Sequence, residues 1–205
     1  RAVLRALGYE DQRFDVELVQ LVKVLRGDEE VKMSKRAGTF VTLRDLLDEV
    51  GPDAARWFFL ARRGDSQLNF DIELAKKQTD ENPIFYVQMS HARLSGIFRT
   101  AGRAPEDVVG PLDLGALPAP EDVELLKKLG EFAEQVARAA RDREPHRVCV
   151  YLHELANVVH GWYHRTRTVG EAPPVEHARL LLARAARLVL ANGLTLLGRS
   201  APDRM

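Results

Sequence analysis

Apolar positions in this 205-residue chain follow two rhythms. Up to about residue 80 they come in short runs between Gly and Asp turns, an α+β pattern. From Asn82 onward they recur every three or four residues, the spacing of one helix face. Val16, Val19, Leu21, Val22, Val24 and Leu25 form a run before the turn Arg26-Gly27-Asp28. Periodicity alone does not decide whether that run is a strand or a short helix. Thr42-Leu43-Arg44-Asp45 reads as a capping box, with Leu43, Leu46, Leu47 and Val50 on one apolar face behind it. Gly51-Pro52 should end that helix, and Asp53 should cap a short one over 54–60.

The second rhythm predicts four long helices. Asn82-Pro83 opens the first, which Gly102 ends near residue 101. Seven Pro and Gly residues over 102–120 mark a loop linker. The second helix is expected from about 121 to 143, with Leu125, Leu126, Leu129, Phe132, Val136 and Ala140 inward. Pro145 opens a third, with Val148, Tyr151, Leu152, Leu155, Val158, Val159 and Trp162 inward, and a fourth runs from about 175 to 197. The expected fold is mainly α: an α+β segment over residues 1–81, then an all-α up-and-down helix bundle over 82–205.

Apolar residues make up 45% and charged residues 29%, a balance that excludes a disordered chain. Thirty basic and thirty acidic side chains cancel, which excludes a polycation that coats nucleic acid by bulk charge. The cancellation hides a gradient. Residues 1–83 sum to −2 and residues 84–205 to +2, and residues 137–205 reach +5 with eleven Arg and no Lys. All six histidines also lie in the second half. Such an end suits RNA, because Arg pairs with phosphate and stacks on bases, but an ordinary solvated face fits the charge equally well. A single cysteine, Cys149, excludes an internal disulfide and a Cys-rich zinc site, as expected of a reducing compartment. No signal-peptide or transmembrane run is present, and the chain opens on Arg1 rather than Met, which suggests a piece of a longer protein.

The sharpest motif is Val31-Lys32-Met33-Ser34-Lys35-Arg36-Ala37-Gly38-Thr39. Two lysines flank Met-Ser in a short polar loop, and Gly38 gives the backbone freedom beside them. Lysine is a compact charge on a flexible stem, suited to following a phosphate as it moves. The physical reading is a mobile loop that closes over a polyphosphate and stabilises the leaving pyrophosphate. Two lysines near Ser and Gly would otherwise be a plain surface loop.

The full string resembles the Lys-Met-Ser-Lys-Ser signature of class I aminoacyl-tRNA synthetases, with Arg36 in the last place. Its continuation Ala37-Gly38-Thr39 resembles the bacterial-type arginyl-tRNA synthetase family. Phe40-Val41-Thr42-Leu43, Asp53-Ala54-Ala55-Arg56, Asn69-Phe70-Asp71, Asn82-Pro83, Tyr86-Val87-Gln88, His91-Ala92-Arg93 and the ending Ala201-Pro202-Asp203-Arg204-Met205 follow that family's order. The resemblance implies attachment of arginine to its tRNA through an arginyl-adenylate, with ATP and Mg²⁺ and no protein metal site. It implies that Lys32 and Lys35 hold the ATP phosphates in a catalytic role, Lys35 chiefly in the transition state, with Met33 and Ser34 shaping the loop. It implies that residues 1–81 are the end of a catalytic domain and 82–205 a DALR-type anticodon-binding domain, in a cytoplasmic monomer. The family's His-Ile-Gly-His-like motif is missing, since no His precedes His91, so the chain alone is expected not to aminoacylate. The rival readings are another class I synthetase, such as the cysteine enzyme, and a non-catalytic tRNA-binding module.

Candidate tRNA contacts are Tyr86, Gln88, Arg93, Tyr163, Arg167 and Met205. Tyr86 and Arg93 are seven apart and share a helix face, with Met89 between them where the family often has a second Tyr. Tyr86 is either a stacking platform for an anticodon base, worth about 1–3 kcal/mol, or a core residue with its hydroxyl at the rim. Trp162 continues an apolar face, whereas Tyr163, Arg165 and Arg167 interleave aromatic and cationic groups at a helix end. His160 and His164 have metal-pair spacing, without a nearby Asp, Glu or Cys to complete a set. Met205 and Arg204 are placed near the anticodon site by the resemblance, a loose tail being the alternative. Cys149 is expected to be a packed thiol.

Overall fold

The computed structural model describes residues 2–9, 14, 16–27, 29–31 and 42–205. Lys32, Met33, Ser34 and Lys35 therefore lie outside the described residues, as does the rest of the signature through Val41.

The first rhythm of the sequence gives short elements. A helix α1 (Ala2–Ala6) buries nothing. Strand β1 (Val22–Arg26) pairs antiparallel with β2 (Glu29–Glu30). The apolar run thus forms a strand only in its last part, and Val16, Val19 and Leu21 are exposed. They lie before the stretch that pairs in the sheet, so among the described residues no neighbouring strand covers them. Helix α2 (Leu43–Val50) carries the expected capping box: Asp45 N–H donates to Thr42 Oγ1 (3.0 Å), and Thr42 N–H to Asp45 Oδ2 (2.8 Å). Leu46 is buried, with Leu47 and Val50 half-buried, but Leu43 is exposed. Leu43 is the first helical residue, a turn ahead of the part that packs. Gly51, at φ +80°, turns the chain into α3 (Pro52–Leu60), a conformation that costs Gly no Cβ clash. Strand β3 (Leu68–Asp71) returns parallel to β1, setting Val24 beside Phe70, and completes the sheet order β2-β1-β3. Helix α4 (Ile72–Lys76) is capped by the Asp71 carboxylate. Arg26 joins β1 to α2 and α4 through Glu49 (2.7 Å) and Glu73 (3.1 Å), and the Arg26 hydrogen bond pushes the Glu49 carboxyl down to about 2.

The second rhythm gives the helices. Pro83 opens α5 (Pro83–Ala101), which Gly102 closes in the left-handed conformation as the sequence requires. Two short 3₁₀ turns occupy the linker. The helix expected over 121–143 is two: α6 (Pro120–Gly130) and α7 (Phe132–Asp142). At the break the Lys128 carbonyl accepts the Tyr151 hydroxyl (2.9 Å) and the Glu131 N–H (3.3 Å), so the ladder does not continue. Helices α8 (His146–Arg165) and α9 (Pro173–Leu196) follow. The four expected helices are therefore five. Helix α8 touches α5, α6, α7 and α9, so it is a central hub rather than one corner of a four-helix bundle. Gly193 allows α9 to approach closely: a Cβ there would stand 2.5 Å from Leu152 Cδ2. Leu94, Phe98, Leu125, Leu155, Leu180 and Leu190 fill the core. Cys149 is buried on α8, and burial pushes its thiol up to about 12.

A buried charge cluster braces the far end of α8. Asp122 on α6 is fully buried and meets Arg179 on α9 (Oδ2–Nη2 3.1 Å). Trp162 donates its indole N–H to the same carboxylate (2.7 Å), and Ala119 its backbone N–H (3.1 Å). Every lone-pair region of Asp122 is thus used, as a buried carboxylate requires.

Candidate nucleic-acid interface

The pitch of α5 sorts its polar residues onto two stripes. Gln88, His91, Ser95 and Arg99 lie on one, and all four are bound to the chain's last residues. Gln88 Nε2 lies 2.9 Å from Asp53 Oδ2 and 3.0 Å from the Ser200 carbonyl. His91 Nδ1 is 2.9 Å from the Pro202 carbonyl. Ser95 Oγ donates to Asp203 (2.8 Å), and Arg99 to the Asp203 carbonyl (2.8 Å). Arg187 adds an ion pair to Asp203 (2.8 Å), and its hydrogen bond holds that carboxyl below the usual range. Arg199 pairs with Asp53 (3.1 Å), so the tail also ties down α3. Burial lowers the pKa of His91, and the nearby Arg187 works in the same direction.

The other stripe, Tyr86 and Arg93, meets the end of α8. The Tyr86 ring lies 4.3 Å from the His160 ring and 5.4 Å from the His153 ring, between centroids. Burial raises the pKa of its hydroxyl. Arg93 Nη1 is 2.6 Å from His160 Nδ1 and 3.5 Å from His164 Nε2. Its guanidinium carbon stands 6.0 Å from the centre of the Tyr163 ring, within cation–π range. Tyr163 is 40% exposed, whereas Trp162 beside it is 1% exposed and belongs to the core. Beyond Tyr163 an open groove of about 570 Å³ is lined by Ile97, Thr100, Tyr163, Arg165, Arg167 and Val169. Arg167 Nε donates to the Val169 carbonyl (3.0 Å), which folds that side chain along the groove wall. Aromatic faces and guanidinium planes alternate here at a solvent-facing edge, the chemistry that holds unstacked bases and their phosphates.

The predicted site residues therefore separate. Tyr86, Arg93 and Tyr163 come together, with Arg167 in the adjoining groove. Gln88 stands elsewhere on α5, where it and the exposed Met205 line a second hollow of about 650 Å³ with Asp53, Lys76, Lys77 and Asn82. The tail is pinned over residues 199–203 rather than loose. Sequence reasoning overlooked His160 as a partner of Arg93, although a histidine on an inward helix face and one turn from an aromatic pair was the available signal. Among the described residues no group of three or more His, Cys, Asp and Glu could hold a metal ion. Nor is any described helix long and apolar enough to cross a membrane.

The DALR anticodon binding domain family matches residues 87–205, which take in Arg93, His160, Tyr163 and Arg167. The chain belongs to that family. Among similar proteins, the arginine–tRNA ligase of Acidithiobacillus ferrooxidans is 49% identical over 210 residues, covering 100% of this chain and 36% of the relative. That of Geobacter metallireducens is 50% identical over 211 residues, covering 100% and 37%. The chain thus spans little more than a third of the length of the curated relatives it matches. An arginyl-tRNA synthetase structure from Campylobacter jejuni superposes with a TM-score of 0.88 at 30% identity, covering all of this chain and 44% of that one. The arginyl-tRNA synthetase of Thermus thermophilus gives 0.66 at 28% identity, covering 83% and 29%. In this DALR chain the cluster at the junction of α5 and α8 lies almost wholly within the matched family segment.

Proposed function

We propose that this chain supplies the signature loop and the anticodon-binding bundle of an arginine–tRNA ligase, a cytoplasmic monomeric enzyme that activates arginine with ATP and Mg²⁺ and transfers it to tRNA. The observation that carries the reading is end-to-end similarity, at 45–50% identity, to relatives named arginine–tRNA ligase. The same similarity favours arginine over the cysteine enzyme. In this reading residues 1–81 end the catalytic domain and 82–205 form the anticodon-binding domain. Lys32 and Lys35 hold the ATP phosphates, with Met33 and Ser34 shaping the loop. Tyr163 and the rim of Tyr86 stack on unpaired anticodon bases, and Arg93 and Arg167 contact base edges and phosphates. Gln88 fixes the tail that brings Met205 to the second hollow.

The test is binding of the 205-residue chain to anticodon stem-loop hairpins. Changing the central cytosine of an arginine-tRNA hairpin should weaken binding about tenfold or more, the discrimination expected for one read base. Equal binding to all hairpins would overturn the reading. Arginylation assays on the same protein should show no turnover, because the motif that completes the ATP site is not among its residues.

A further inference from the structure

We propose that neutral His160 is a positioning residue for the RNA-facing stripe of α5, holding Arg93 and Tyr86 in place, and that its protonation releases Arg93 and abolishes base discrimination. The proposal rests on the reading of this face as an anticodon interface.

The two nitrogens of His160 have different obligate partners. Arg93 Nη1, 2.6 Å from Nδ1, can only donate, so Nδ1 must carry its lone pair. The Tyr86 carbonyl, 3.3 Å from Nε2, can only accept, so Nε2 must carry the hydrogen. Both partners lie on α5, seven residues apart, and one imidazole satisfies both only as the Nε2–H tautomer. A second proton on Nδ1 would set N–H against N–H and a cation against the Arg93 cation. With His160 only 6% exposed, that conflict cannot be relieved by water in place. Arg93, whose far side faces Tyr163 and solvent, is the group able to leave.

From α5, Arg93 disfavours the imidazolium and the Tyr86 carbonyl favours it. Asp80, ahead of α5, favours it, and His164 on α8 disfavours it. His153 meets the Tyr86 ring, 5.4 Å between centroids, and Tyr163 meets Arg93. Burial is the largest influence and opposes the charge, so His160 stays neutral further into acid than an ordinary histidine. The same ring sets the plane of Tyr86, 4.3 Å away. One side chain thereby orients both a stacking surface and a guanidinium plane.

The test compares wild type, His160→Asn and His160→Phe in the 205-residue chain. Asn places an amide oxygen where Nδ1 stands and does not titrate; Phe fills the space and offers no acceptor. The probes are an arginine-tRNA anticodon hairpin and its central-base variant. Wild type should lose discrimination progressively as pH falls below ~6.5, His160→Asn should keep it over the same range, and His160→Phe should lack it throughout. A wild-type pH profile shared by His160→Asn, or full discrimination by His160→Phe, overturns the proposal. Nitrogen-15 histidine spectra decide the local part without RNA: His160 should be the Nε2–H tautomer, and an Nδ1–H tautomer overturns the lock. If wild type binds neither hairpin at pH ~7.5, the anticodon reading fails and the RNA role with it, whereas the spectra still decide whether His160 holds Arg93.

Discussion

The two stripes of α5 carry similar residues and end in opposite conditions. On one, Gln88, His91, Ser95 and Arg99 each have a partner in the tail, and the polar groups are consumed by the fold. On the other, Arg93 is held from behind by His160 while its face toward Tyr163 stays open. Composition does not separate them, since both carry a hydroxyl and a guanidinium. What separates them is whether the geometry leaves donors and planar faces for something outside the chain. A polar helix residue is thus read as brace or as contact from its partners, not from its type.

The largest expected effect strikes the support behind the open stripe. Asp122→Ala leaves Arg179 buried without its counter-charge and the Trp162 N–H without an acceptor. Urea unfolding should show a loss of about 3–5 kcal/mol, and a loss below 1 would mean that the cluster relaxes to water. Next comes Tyr163→Ala, which should cost about 1–3 kcal/mol of hairpin binding with the urea midpoint unchanged. Equal losses in binding and stability would make Tyr163 a brace and erase the distinction between the stripes. Gln88→Ala should do the reverse, lowering stability by about 1 kcal/mol and leaving hairpin affinity as it was. Weakened RNA binding without destabilisation would move Gln88 to the open stripe.

The smallest effect is a shared acid sensitivity. His91 and His160 both have folded-state pKa values below the ordinary 6.5. The unfolded chain therefore takes up protons near 6.5 while the folded chain resists them. Their contribution is full above 6.5 and falls as pH drops below it. Asp203 works in a separate window, its contribution present above the ordinary 3.8 and lost in stronger acid. The urea midpoint should decline gently from pH ~7.5 to ~5.5, and His160→Asn should flatten that decline. A flat wild-type profile would count against both buried imidazoles.

Local signals were legible in the sequence where the chain contacts itself nearby. Thr42 with Asp45, Pro83 at a helix start and Gly102 at a helix end declare their roles within four residues. The break between Gly130 and Glu131 does not, because the Tyr151 hydroxyl that diverts the Lys128 carbonyl arrives from 23 residues away. Asp122 and Arg179 are 57 residues apart, and each looks like a surface charge until they are seen paired. His160 invited a metal reading because its spacing to His164 is local, whereas its true partner, Arg93, is 67 residues away. The separation of Gln88 from Tyr86 was within reach, since two residues along a helix turn a side chain about 200°.

Cys149 offers a practical consequence. It is the sole thiol of the chain, shut inside α8 and held protonated by its surroundings. A thiol-directed reagent can modify it only when the bundle opens, so labelling of the untouched protein is a clock for rare opening events. Wild-type labelling should be far slower than in urea and should accelerate in Asp122→Ala. By the same token, a cysteine engineered beside Tyr163 would take a fluorophore selectively, with no need to remove the native one.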